Sequence, residues 1–357
     1  MVTVGDRRVE PPGVVLVTGA SRFLGGYLVT RLAQDPSIER VIAVDAVSPS
    51  KDMLRRMGRA EFVRADIRNP LIGKVIRGAK VDTVVHAATI VKAPKSGSRA
   101  AMKDMNVLGA MQLFAVCQKS PDVRKVVVRS SAAVYGCSAK DPAKFTEEMS
   151  ARRPPQGAFA RDTIEIEGYA RGLGRRRPDI AVSLLRMAPL IGPRLHGSVS
   201  QYLNSPVVPM ILGRDARMQL LHEEDALAAL ERATVTGPAG TFNVAADGVV
   251  MLSQAIRRAG GVPVPVPFQL FRTLGKVVMG SSLRQFTKEQ LEYFYFGCGL
   301  DTGRMRSELG FEPRWTTLQA LDDMISGAGF RPVLSRDWLE SVEIGLQNLV
   351  GAGGGAR

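Results

Sequence analysis

Short runs of β-branched apolar residues alternate along this chain with longer stretches whose apolar positions recur every three or four residues. Val14-Val15-Leu16-Val17 is the first such run, and it ends at Thr18-Gly19. Its length and flanks predict a strand buried on both faces. Residues 23–34 (FLGGYLVTRLAQ) carry helical spacing instead. Further strands are predicted at 41–44, closing on Asp45; at 60–64, followed by Asp66; at 83–86; at 125–129, running into Ser130-Ser131; and at 181–186. Helices near 70–78, 99–119 and 159–177 fall between them. This alternation implies an α/β fold with a doubly wound parallel sheet and right-handed crossovers. Beyond about residue 190 the rhythm changes. Prolines and glycines interrupt 189–215, and helices are expected near 224–233, 251–259, 286–295 and 316–326. The organisation read from this is a tail over 1–12, a first domain over 13–190, a smaller α/β domain over 191–350 partly interwoven with the first, and a flexible GAGGGAR end at 351–357. No internal repeat is visible.

Composition narrows the classes. The chain has 357 residues, 45% of them hydrophobic and 23% charged, as in a soluble globular protein. No stretch approaches the ~18–20 apolar residues of a membrane span. The N-terminal MVTVGDRRVEPPG lacks the apolar core of a secretory signal, so a cytoplasmic location is expected. Cys117, Cys137 and Cys298 are spaced for neither a zinc site nor a disulfide framework, and no metal is expected. The net charge of +14 is scattered. Its densest run, Arg171–Arg177 (RGLGRRR), follows a helical stretch and precedes Pro178, which fits a solvated helix C-terminus better than a nucleic-acid patch.

Candidate chemistry begins at Thr18-Gly19-Ala20-Ser21-Arg22-Phe23-Leu24-Gly25-Gly26, between the first strand and the first helix. Backbone amides and the helix dipole can hold a pyrophosphate there, and glycine allows the turn and the close approach. Asp45 closes the second strand about 20 residues on, where a carboxylate would accept from ribose hydroxyls. The loop resembles the TGxxGxxG fingerprint of the extended short-chain dehydrogenase/reductase family, that of NAD-dependent epimerases and dehydratases such as UDP-glucose 4-epimerases. Other segments resemble the same family in order: Asp66-Ile67-Arg68; His86-Ala87-Ala88; Asn106-Val107-Leu108-Gly109 (NVxGT); Ser130–Gly136 (SSAxVYG); Leu185-Arg186 with Ile191-Gly192-Pro193 (LRxxNVYGP); Leu221–Ala226 (HVxDxA); Thr241–Val244; and Glu308–Pro313.

The resemblance implies a Rossmann-type nucleotide-binding sheet and a C-terminal substrate domain. It implies cofactor contacts from Gly19, Ser21, Arg22, Phe23, Leu24, Gly25, Asp45, Asp66, Ile67, Ala87, Ala88 and Asn106, and a substrate contact from Ser131. It further implies a nucleotide-sugar or other small-molecule substrate, and a homodimer formed through the helices near 99–119 and 159–177. Two departures matter. Arg22 replaces the middle fingerprint glycine; the TGASR loop is similar to that of reductases using NADPH, whereas the charge of Asp45 opposes a 2′-phosphate. NAD is therefore expected, with NADP as the alternative. The family's YxxxKxxxE helix aligns onto Phe159, Thr163 and Glu167, so the glutamate is kept and the tyrosine and lysine are not. None of the chain's 6 tyrosines is followed four residues later by lysine. Phenylalanine has no exchangeable proton and threonine no charge; losing a placed general base typically costs 10²–10⁴-fold in rate. Asp162, Glu165 and Arg161 share the helix, but spacing does not aim them at a substrate. His86, His196 and His222 read as structural. Three readings follow: a nucleotide-sugar epimerase or dehydratase with an altered acid/base site; a degenerate dinucleotide-binding sensor or scaffold; and, more distantly, a basic protein that binds an anionic polymer or membrane surface.

Overall fold

The computed structural model describes residues 11–89, 99–152, 154–155, 157–267, 286 and 288–327. The sequence readings on residues 1–10 and 351–357 lie outside these. The first six strands are β1 (Val14–Thr18), β2 (Arg40–Asp45), β3 (Glu61–Arg64), β4 (Thr83–His86), β5 (Lys125–Ser131) and β6 (Ala181–Met187). They form one parallel sheet in the order β6-β5-β4-β1-β2-β3, completed at the β6 edge by Gly240–Val244 from the second half of the chain. The central strands are apolar throughout because both faces are covered: Val15, Leu16 and Val17 are fully enclosed. The first eight α-helices are α1 (Phe23–Gln34), α2 (Lys51–Arg56), α3 (Ile72–Gly78), α4 (Arg99–Lys103), α5 (Gly109–Lys119), α6 (Ala158–Arg176), α7 (Ser198–Leu203) and α8 (Glu223–Val235).

Most expected elements appear within two residues of their reading. The stretch expected as one helix over 99–119 is α4 and α5 joined by a π-helical segment, Asp104–Leu108. Among the elements that escaped the sequence pattern, two are instructive. One is α2, only six residues long, with Ser50 accepting from the Met53 amide as its N-cap. The other is a strand pair, Val207–Ile211 with Val262–Val266 (VPVPV). Proline normally argues against a strand. Here Pro263 and Pro265 sit two apart, so both point their missing N–H to the same edge, away from the partner, while the Val262 amide donates to Pro206 O. The reversal from β1-β2 to β1-β4 opens a crevice at the carboxyl ends of the strands.

Candidate functional site

The glycine loop is built by three close approaches. Gly19 has φ +79, and a Cβ there would lie 2.8 Å from Ala88 Cα, so conformation and space both demand glycine. A Cβ on Gly25 would lie 2.2 Å from Gly19 O, which lets the head of α1 press onto the loop. The Gly19 amide donates to Val44 O at the end of β2. Arg22 needs no glycine conformation: it is the extended N-cap of α1 (φ −97, ψ 159), and its side chain is exposed. It places no side-chain cap on the helix, and the first intrahelical bond runs from the Gly26 amide to Arg22 O. The amides of Phe23, Leu24 and Gly25 therefore stand ahead of that ladder, where an anion would accept from them.

Asp45 is placed by β2 with its carboxylate on this loop. Its Oδ2 accepts from the Ser21 amide (3.0 Å) and hydroxyl (2.6 Å), and its Oδ1 from the Val47 amide. The acid thus orders the loop as well as facing the site. Asp66 is paired with Arg68 at 2.5 Å, and that hydrogen-bonded pair holds its carboxyl below the usual range. Ile67 packs where a Cβ on Gly109 would otherwise fall. Ala87 is buried and Ala88 half-buried beside Gly19. Leu24 lies in the core, and Phe23 packs on Tyr27 (centroids 4.7 Å apart) beneath Arg194. Asn106 is buried and donates to Asp162. The residues read as cofactor contacts thus divide into a loop that faces the cleft and a supporting layer that shapes it.

A cavity of about 510 Å³ lies between the carboxyl ends of β5 and β6 and the second half of the chain. Ser131, Arg129 and Phe159 line one wall, His196 and Gln201 another, and Tyr293, Phe294 and Cys298 the far side. Ser131 ends β5, and its Oγ accepts from the Ala133 amide at 3.2 Å. Phe159 is 7% exposed, and Thr163 turns its hydroxyl back to Phe159 O at 2.8 Å. The two acids on α6 considered as substitutes point elsewhere: Asp162 is fully enclosed and bound by Arg99 and Asn106, and Glu165 pairs with Lys103. His222 is engaged on three sides, by Asp323 (3.0 Å), by the Glu224 amide and by the Trp315 ring.

The motifs that carry the family resemblance meet in one buried network. Arg186 forms a two-bond pair with Glu167 (3.0 and 2.8 Å), and Ser130 donates to Glu167 at 2.5 Å. Arg186 also donates to Tyr135 OH, which donates to Asn243 Oδ1. The backbone amide of Asn243 in turn donates to Glu147 Oε1. Burial alone would raise Glu167, yet its bonds to Arg186 and Ser130 hold it below the usual carboxyl range, and Arg186 is held above its own. These residues brace β5, β6 and α6 against the Gly240–Val244 strand.

Sequence reasoning missed two features. Arg129 interrupts the apolar run of β5, and that break in KVVVRSS was the available signal. Cys137 and Cys298 are hydrogen-bonded neighbours on the same cavity, and that bond, then burial, pushes the Cys137 thiol up. Nothing in their spacing announced it. Of the basic run, Arg171 pairs with Glu167 and Arg177 with Asp179. Among the described residues no helix is long and apolar enough to cross a membrane.

A parallel sheet with its crevice at a strand-order reversal, a glycine loop heading a helix and an acid closing β2 define a Rossmann-type nucleotide-binding protein. More narrowly, the chain belongs to the NAD dependent epimerase/dehydratase family, whose model matches residues 15–245. An uncharacterized protein of Mycobacterium tuberculosis is 59% identical over 339 residues, covering 94% of this chain and 90% of that protein. UDP-glucose 4-epimerase 3 of Oryza sativa is 28% identical over 211 residues, 56% of this chain and 55% of its own. In fold, the chain is similar to UDP-glucose 4-epimerase of Thermotoga maritima, solved with UDP-glucose (TM-score 0.66, 18% identity, 88% of this chain and 98% of that one). It is equally similar to dTDP-glucose 4,6-dehydratase of Bacillus anthracis, solved with NAD (TM-score 0.66, 18% identity, 89% and 96%).

The residues present suit a dinucleotide. The Gly19–Gly25 contacts leave a backbone cradle that any Cβ would fill, and the uncapped head of α1 faces it. Three enclosed polar atoms at the carboxyl ends of β4 and β5 have no partner among the described residues: His86 Nε2, Thr89 Oγ1 and Arg129 Nε. Burial also pushes His86 down to about 4, so its imidazole is neutral.

Proposed function

We propose that this protein holds NAD along the carboxyl edge of the sheet and a nucleotide-sugar in the cavity beside Ser131, as an epimerase/dehydratase-type protein with an altered acid/base site. The observation that carries the reading is the tight Gly19–Gly25 turn under an uncapped helix head, together with the cavity that Ser131 lines at the end of β5. The amides at the head of α1 would hold the cofactor's phosphates, and Asp45 its adenosine ribose. NAD, when bound, supplies a hydride acceptor. Ser131 offers a hydroxyl that can orient a sugar hydroxyl. Phe159 keeps that corner dry but exchanges no proton, so proton transfer at the family's usual rate is not available from the α6 pair.

A second reading, a sensor or scaffold that binds without turnover, draws support from the engagement of Asp162 and Glu165 with Arg99 and Lys103. Calorimetric titration with NADH and, separately, NADPH tests the shared premise; binding of neither overturns both readings. Assaying UDP- and dTDP-sugars for turnover then separates them. On the sensor reading, Phe159→Tyr with Thr163→Lys raises turnover from near zero. A wild type that already turns over and loses nothing on Ser131→Ala refutes the site assignment. Homodimerisation through α5 and α6 is part of the proposal, supported by the exposed apolar side chains Leu108, Met111, Ile164 and Tyr169. A monomeric mass by light scattering refutes it.

A further inference from the structure

Arg186, the one buried arginine among the described residues, is bound to Glu167, and even the exposed Arg59 donates to the carbonyls of Ala33, Asp35, Ile38 and Glu39. Arg129 is different. It stands two positions before Ser131 on β5, so both side chains leave the same face of the strand, and both line the cavity. Its guanidinium has no hydrogen-bond or ion-pair partner among the described residues, and its Nε is enclosed. Arg129 as a whole is half-buried, and its enclosed Nε, with no acceptor among the described residues, is a cost that an acceptor bound in the cavity would relieve.

The surroundings say what that is. Arg22, at the head of α1, presents a second cation without an acceptor among the described residues, near enough for its charge to bear on Arg129. The uncapped amides of Phe23, Leu24 and Gly25 add the positive end of a 12-residue helix. Neutral His86 and Thr89 turn unpartnered polar atoms to the same strand ends. Two like charges thus bear on each other beside a row of donors. A group with several charged oxygens spread over two centres answers both arginines at once, whereas a lone carboxylate answers one.

We propose that Arg129 and Arg22 together hold a diphosphate group between the end of β5 and the head of α1, an inference that rests on the dinucleotide reading above. The dinucleotide and the nucleotide-sugar each carry such a group. Arg129 would make the diphosphate seat of this chain reach from the glycine loop to the wall of the cavity.

The test is calorimetry on the full-length protein and on Arg129→Gln and Arg129→Lys, with NADH, UDP-glucose and inorganic pyrophosphate as separate probes at two salt concentrations. Glutamine keeps much of the length without the charge, and circular dichroism confirms that each variant folds. Arg129→Gln is expected to weaken one of the first two ligands about 10- to 100-fold and to flatten its salt dependence, with Arg129→Lys recovering part of the loss. The ligand affected identifies which diphosphate is held. Affinity for NADH and UDP-glucose that is unchanged or tighter in Arg129→Gln overturns the proposal while leaving the dinucleotide reading intact. A wild type that binds neither, yet binds pyrophosphate in an Arg129-dependent way, overturns that reading and keeps the seat. Arg129-independent pyrophosphate binding, or none, in that same wild type overturns both.

Discussion

Replacing Glu167 by glutamine keeps the shape of the side chain and removes its charge. In the structure that charge faces Arg186, with the two side chains 1% and 8% exposed, through bonds of 3.0 and 2.8 Å. Oε1 also accepts from Ser130 at 2.5 Å, and Oε2 from Arg171 at 2.9 Å. A glutamine amide offers one acceptor oxygen and turns an NH₂ toward donors on the other side. Arg186 is then a buried cation facing a neutral group and a misplaced donor. Breaking a buried pair from one side typically costs about 3–5 kcal/mol, which for a chain of this size is roughly 4–7 °C in Tm. The measurement is urea and thermal unfolding of wild type, Glu167→Gln, Arg186→Met and the double variant. The double variant is expected to recover part of the loss, because it no longer holds an uncompensated charge. The acid limb gives an independent check. Glu167 is held below its ordinary range by Arg186, so its contribution is present above the unfolded carboxyl range and fades as pH falls through the folded value. A Glu167→Gln loss under about 1 kcal/mol, or strict additivity in the double variant, refutes the reasoning that this pair braces the sheet.

Further expectations concern the cleft. Gly25→Ala puts a Cβ 2.2 Å from Gly19 O, so it should cost about 1–3 kcal/mol and at least tenfold in NADH affinity, whereas Gly168→Ala, with open space around it in α6, should be neutral or slightly stabilising; equal effects in unfolding and calorimetry would contradict the cradle. His86 is pushed down to about 4 by burial and, secondarily, by Arg129. The unfolded chain therefore takes up a proton between about pH 6.5 and 4 that the folded chain refuses, and stability should fall by roughly 2 kcal/mol from pH 7 to pH 5 on this account alone. That slope should shrink in His86→Asn, and a slope unchanged by the substitution counts against a neutral buried imidazole. Asp45→Ala releases Ser21 and removes a charge that would repel a 2′-phosphate, so NADH binding should weaken relative to NADPH; a ratio that does not move means that Asp45 only orders the loop.

The parts of this protein legible in its sequence are those whose causes are local. A run such as Val14–Val17 is apolar because both faces of its strand are covered, and Gly19 is glycine because φ +79 and Ala88 leave it no alternative. The loop, the acid at the end of β2 and the departures at Phe159 and Thr163 could all be read this way. The family's motifs were legible as motifs, but not their purpose. Tyr135, Glu167, Arg186 and Asn243 lie far apart in the chain, and only folding shows that they are bonded to one another as a brace.

What tertiary structure alone decided are the questions of pairing. Asp162 and Glu165 read as candidate bases until Arg99 and Lys103 are seen to occupy them. Cys137 and Cys298 have no telling spacing, yet they share a cavity wall. The strand at residues 262–266 is hidden by its prolines, because only an edge position lets Pro263 and Pro265 turn away from the partner strand. Arg129 is one arginine among many in the sequence; its meaning lies in having no partner among the described residues, which no sequence pattern can express. Burial, charge pairing and vacant donors depend on which distant segments the sheet order brings together. That order includes Gly240–Val244, which crosses back from the second half of the chain to pair with β6.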